Sequence, residues 1–159
     1  YFLCIIFYHS FFHFKTKIMN TNKFIIGGII GGVANFLLGW LIYGMLLMSF
    51  MQTHSNNSSG AFRAETDMVW WAMIAGNLAL GFLFSYILNK SNVSSAVSGA
   101  TTGAIVGLLM GTAIDLMMYA QLNLWDTTAM AVDIAASTVI SAIVGAVIGA
   151  YLGMGKKAA

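Results

Sequence analysis

The chain has 159 residues, of which 59% are hydrophobic and only 8% charged, with no proline and eleven methionines. Soluble domains carry roughly a quarter charged residues, so these charges are too few to cover a water-facing surface; a bilayer, which solvates an apolar exterior, suits this composition. A formal charge of +2 is too small to point to nucleic acid, and the single Cys4 permits no intramolecular disulfide.

Residues 1–14 are apolar and aromatic but short of the roughly 20 residues a spanning helix needs. They also lack the basic leader and small-residue cleavage site of a signal peptide. Met19 opens a plausible start, Met19-Asn20-Thr21-Asn22-Lys23, so residues 1–18 are expected to be translated sequence upstream of it. The alternative is a short interfacial segment with Lys15 and Lys17 at the headgroups. Either way residues 19–159 are expected to form a single domain, and Cys4, His9 and His13 are poor candidates for chemistry.

Four apolar stretches follow, at about 24–50, 68–88, 97–120 and 128–152. Each is long enough to cross a ~30 Å hydrocarbon core as a helix. A polar loop, Gln52 to Asp67, separates the first two. Short connections at Asn89–Ser95 and Gln121–Asp126 predict that the second, third and fourth spans form consecutive hairpins. The fold class expected is an all-α membrane protein, a four-transmembrane-helix bundle. With both termini in the cytoplasm, Lys15, Lys17, Lys23, Lys90, Lys156 and Lys157 lie inside and only Arg63 outside, as the positive-inside rule requires. Trp70, Trp71 and Trp125 then fall at the outer aromatic belt and Tyr151 at the inner one.

The third span carries Gly99, Gly103, Gly107, Gly111 and Asp115 at a spacing of four; the fourth carries Asp133, Ser137, Ser141, Gly145, Gly149 and Gly153 at the same spacing. Small residues so placed let helix backbones approach closely, which supplies contact where hydrophobicity cannot drive association. Folding the hairpin about Leu124 sets Asp115 against Asp133, Gly111 against Ser137, Gly107 against Ser141, Gly103 against Gly145 and Gly99 against Gly149. Because a four-residue stripe drifts by ~40° per step, a single crossing is expected to join only part of it. Gly27, Gly28, Gly31 and Gly32 form another small-residue face on the first span.

Asp115 and Asp133 are the sharpest feature. Acids inside a membrane are costly and are functional candidates by default, and two sharing one site titrate as a pair. They are therefore candidates for binding an ion or proton, with Ser137 beside them. The competing structural reading has Asp115 bonded to Ser137 and Asp133 capping the fourth helix near Thr127 and Thr128. Asn35 and Asn77, near mid-membrane, are expected to bond to each other across the first two spans. Met45, Met48, Met51 and His54 recur every three residues, but steps of ~300° put His54 on the opposite face from Met45, so adaptable packing is expected rather than a Cu(I) site. Catalytic residues, metal ligands and a cofactor are not expected: after Met19 there is one histidine, no cysteine and no phosphate-binding loop. Asn56-Asn57-Ser58 and Asn92-Val93-Ser94 match glycosylation sequons, a pattern common by chance.

Gly39-Trp40-Leu41-Ile42-Tyr43-Gly44 resembles the Gly-x-x-Trp-Tyr-Gly-Pro stretch of a family of small bacterial membrane proteins without an assigned function, with isoleucine here for tryptophan and methionine for proline. The second half resembles another uncharacterised four-helix family through Asp115-Leu116, Ala120, Leu122, Trp125 and Val132-Asp133-Ile134, about a third of the chain. Both resemblances imply a multi-pass protein of the bacterial inner membrane and neither implies an activity. The sequence expectation is thus a noncatalytic scaffold, assembly or regulatory membrane subunit. The alternative is a small dimeric ion- or proton-coupled transporter using Asp115 and Asp133. The expected partners are the lipid bilayer and either a second copy or another membrane protein, with no nucleic acid.

Overall fold

The computed structural model describes residues 20–55, 63 and 65–154. The segment 1–18, with Lys15 and Lys17, lies outside the described residues, as do the sequon at Asn56–Ser58 and Lys156 and Lys157. The regular elements among the described residues are all helical: α1 (Thr21–Leu41), a π-helical turn (Ile42–Leu46), a short α2 (Met48–Thr53), a 3-10 turn (Glu65–Asp67), α3 (Trp70–Lys90), α4 (Ala96–Gln121) and α5 (Thr127–Gly153). Four helices, Thr21–Leu46, Trp70–Lys90, Ala96–Gln121 and Thr127–Gly153, are long and apolar enough to cross a membrane. The shortest has 21 residues and rises about 31 Å, the thickness of a hydrocarbon core. Large apolar side chains face outward, among them Trp71, Val97 and Leu109, which are 75%, 78% and 66% exposed. Water would not tolerate that surface, and lipid does. The protein is a multi-pass helical membrane protein.

Local chemistry sets the helix ends. Asn20 caps α1, its side chain accepting from the Lys23 amide at 3.1 Å, so the first helix starts earlier than the apolar run at Phe24 suggests. Ser95 and Ser98 make a reciprocal capping box at the start of α4. Asp126 caps α5 by accepting from the Ala129 amide at 2.8 Å. At the other end of α5, Lys23 Nζ donates to the carbonyls of Leu152 and Met154, both at 3.0 Å, and so holds a helix C-terminus with a cation.

The first span differs from the uninterrupted helix expected. It widens into a π turn at Ile42–Leu46, closed by the Leu47 amide donating to the Ile42 carbonyl at 2.7 Å, before α2 resumes. The hairpin between the second and third spans is also looser than expected. The five residues that join α3 to α4 (Ser91–Ser95) include Asn92 in the left-handed region (φ 55°), yet these two helices scarcely touch. The bundle is instead two tight pairs, α1 with α3 and α4 with α5, with α5 also packed on α1 and, less extensively, on α3.

The core lies along α5, where Ile140, Val144, Ile148 and Leu152 are buried against Phe84 and Leu88 of α3 and Val93 of the connection. Both pairs meet backbone to backbone. A Cβ on Gly99 would strike the Gly145 carbonyl and one on Gly145 would strike the Gly99 carbonyl, while Gly107 and Gly111 abut Ser141 and Ser137. A Cβ on Gly103 would lie 3.0 Å from Gly145 Cα, and one on Gly149 would lie 2.9 Å from Gly99 Cα. Contact therefore runs from Gly99 to Gly111 in the register read from the sequence, a longer seam than a single straight crossing allows; helices that coil about each other keep such a seam facing its partner. Gly153 adjoins the Ser94 carbonyl beyond the end of α4. In the other pair, a Cβ on Gly81 would strike the Gly28 carbonyl and the Gly32 amide. Asn35 Nδ2 donates to Asn77 Oδ1 at 2.7 Å across this pair, and Asn77 Nδ2 donates in turn to the Met73 carbonyl at 2.8 Å.

Candidate functional site

The glycine and serine contacts that seat α4 on α5 also fix the depth of the two aspartates. Asp115 is six residues before the end of α4 and Asp133 six residues after the start of α5, each about 9 Å into its helix. Asp115 is 4% exposed, and its Oδ2 is buried without a hydrogen-bond partner. Asp133 is half-buried beside it, close enough for the two carboxyl groups to interact. A third group joins them from the π turn: the half-buried Tyr43, whose hydroxyl approaches the Asp133 carboxyl.

Among the described residues no ion pair reaches either aspartate; Arg63, the one basic residue with the reach, is exposed, and Lys23 is bound to the far end of α5. The Ser137 hydroxyl, set beside the acids in the sequence reading, donates instead to the Ile134 carbonyl of its own helix at 3.1 Å and packs against Gly111. Capping of α5 is done by Asp126, which leaves Asp133 two turns inside the helix with no capping duty. Among the described residues no group of three or more histidine, cysteine, aspartate or glutamate side chains could hold a metal ion.

A second polar feature marks the end of the bundle beyond the aspartates. His54 Nδ1 lies 2.6 Å from Asp126 Oδ2, the Asp126 amide donates to the His54 carbonyl at 3.1 Å, and Ser55 bridges to Trp125. The hydrogen bond to His54 and the Ala129 amide hold the Asp126 carboxyl below the ordinary aspartate range. Met45 and Met48 point outward, 60% and 37% exposed, and His54 stacks on Phe50 with ring centroids 4.5 Å apart. The four residues of that spacing are thus not gathered about one point.

Sequence reasoning missed Tyr43 and the His54–Asp126 pair. The signal for Tyr43 is a polar aromatic group between Gly39 and Gly44 in a span that otherwise offers few polar atoms. Nothing local marks His54, because its partner is 72 residues away. No family model matches the chain, and neither does any curated protein or solved structure.

Proposed function

We propose that this protein takes up and releases a proton or a monovalent cation at the Asp115–Asp133 pair, as a small ion- or proton-coupled carrier of the bacterial inner membrane. The observation that carries this reading is the buried Asp115 carboxyl, one oxygen unbonded, facing a second acid and a phenol with no cation paired to it among the described residues. An ionised carboxylate in that setting is expensive, and a bound proton or cation is what relieves it. Lys23, bonded to the C-terminal carbonyls of α5, and Lys90 at the end of α3 gather at one end of the bundle, and the positive-inside rule supports reading that end as the cytoplasmic one. On that reading the pair lies nearer the outer face than the cytoplasmic one. Four spans are few for a pathway, so two copies are expected to work together. The bacterial location rests on the two sequence resemblances.

The test is reconstitution into liposomes with a trapped pH indicator, under imposed proton, sodium and potassium gradients. Wild type is expected to dissipate one of these gradients, and Asp115→Asn with Asp133→Asn to abolish that flux. Equal flux in wild type and the double variant would sink the reading. The second reading, a noncatalytic scaffold or regulatory subunit, is favoured by the backbone-to-backbone packing of both helix pairs. It expects no aspartate-dependent flux and an unaltered set of co-purifying membrane proteins in the double Asn variant.

A further inference from the structure

We infer that Tyr43 is the third member of the Asp115–Asp133 site, a positioning residue on the π turn of the first span that fixes one proton between the two carboxyl groups. The inference rests on the ion-handling reading above and adds to it a ligand, the proton, and a residue.

The backbone gives the first argument. An α-helix of 21 residues, Thr21–Leu41, gives way to a π turn of five, Ile42–Leu46, and helical winding then resumes at Met48. Such single turns are rare and occur frequently at functional sites. Tyr43 is also not placed as an interfacial tyrosine, ring in lipid and hydroxyl in water. It is half-buried and packs on the apolar core.

Hydrogen-bond chemistry gives the second. A phenol has one O–H to donate, and a neighbouring carboxylate can only accept. The hydroxyl that approaches Asp133 therefore supports the anion there. Asp115 has no such donor: its Oδ2 is buried and unbonded. Protonation relieves Asp115, because the neutral acid brings its own O–H and can give it to Asp133. The two carboxyls then share one proton and one negative charge, with Asp133 accepting from both the Asp115 and the Tyr43 O–H. α3 adds no competing charge at this depth, since its only titratable side chains are Tyr86 and Lys90 near its far end.

The test is an infrared difference titration of the full chain in lipid, in sodium and in choline buffers, with Asp115→Asn, Asp133→Asn and Tyr43→Phe. Wild type is expected to show a protonated-carboxyl band at neutral pH that vanishes in Asp115→Asn. Tyr43→Phe, which takes a hydrogen bond from the anion, is expected to bind the proton about tenfold more tightly, the equivalent of one charged hydrogen bond. Ring-labelled tyrosine supplies a readout that needs no substitution at Tyr43: its C–O mode is expected to change as the carboxyls titrate, and to stop doing so in Asp133→Asn. A folded Tyr43→Phe that titrates like wild type, together with a silent tyrosine mode, overturns the inference and leaves the carrier reading standing. A midpoint that moves with sodium overturns the choice of proton. If neither Asn variant changes the spectrum, the site and the carrier reading fall together.

Discussion

Replacement of Gly81 by alanine tests the backbone contact between α1 and α3. On an open helix face the change is favourable, because glycine costs about 0.5–1 kcal/mol relative to alanine in a helix. Gly76 offers that case in the same helix, since nothing lies within 4 Å of its new methyl group. At Gly81 the methyl would overlap the Gly28 carbonyl oxygen and the Gly32 amide nitrogen, with Gly32 Cα at 2.6 Å. These are backbone atoms of a helix and cannot swing aside, so α1 and α3 must separate. Overpacking costs 1–3 kcal/mol, and backbone overlap puts this site near the upper end, about 3 kcal/mol. Less the propensity gain, Gly81→Ala is expected to lose about 2 kcal/mol, while Gly76→Ala holds level or gains up to about 1 kcal/mol. A gap of about 3 kcal/mol is on the order of 100-fold in the unfolding constant. Gly28→Ala should fall between them, because the atoms nearest its methyl belong to the Phe82 ring, which can turn. Reversible unfolding in mixed micelles, followed by tryptophan fluorescence and circular dichroism, measures all three. Equal midpoints for Gly81→Ala and Gly76→Ala would refute the backbone contact between α1 and α3.

Three further expectations follow from single contacts. Asn35→Ala and Asn77→Ala each remove the 2.7 Å amide bond and should cost about 0.5–1.5 kcal/mol; a double-mutant cycle by micelle unfolding should return a coupling near 0.6 kcal/mol, the average for such bonds between membrane helices. Asp126 has its carboxyl held below the ordinary range by His54 and the Ala129 amide, so its contribution is fully present above about pH 3.9, the unfolded value. It is lost as pH falls through the lower folded value, and protection of the Ala129 amide against hydrogen exchange should fall with it in wild type but stay flat in Asp126→Asn. Lys23→Met leaves the last carbonyls of α5 without their cation; exchange at the final turn of α5 should speed up by about the tenfold that 1–1.5 kcal/mol implies, with the Ile140–Ile148 core unchanged.

The four spans were legible because each is a long apolar run bounded by polar loops, and the α4–α5 register was legible because small residues recur every fourth position on both helices. Asn35 and Asn77 could be paired because each is a lone amide near the middle of neighbouring spans. The π turn could not be read: Ile42-Tyr43-Gly44-Met45-Leu46 carries the same apolar pattern as an α-helix, and tertiary contacts decide between the windings. The α1–α3 contact could be read from those two amides, but the parting of α3 from α4 was hidden, since loop length bounds which helices can meet but not which pack. Ser137 illustrates a general ambiguity of serine in membrane helices. Its hydroxyl can serve a neighbour or bond back to its own helix, and here it donates to Ile134.

Packing and chemistry meet on α5. It presents Gly145 and Gly149 to α4, Ile148 to Gly31 of α1, and Asp133 to Asp115 and Tyr43. Sliding α4 by one turn, about 5.4 Å, would open the glycine contacts and part the carboxyls at once, so the seam acts as the ruler that sets the acid pair. Position along the seam should therefore decide what a substitution disturbs. A methyl at Gly111 would meet the Ser137 hydroxyl at 2.6 Å, one turn from Asp115. A methyl at Gly99 would strike the Gly145 carbonyl about 24 Å along the helix from Asp115. Gly99→Ala should cost 1–3 kcal/mol in unfolding while the carboxyl titration stays as in wild type. Gly111→Ala, opposed only by a side chain that can rotate, should cost less and yet displace the titration. The reverse pattern, with the distant glycine moving the titration and the near one leaving it alone, would show that the carboxyls are set by something other than the α4–α5 seam.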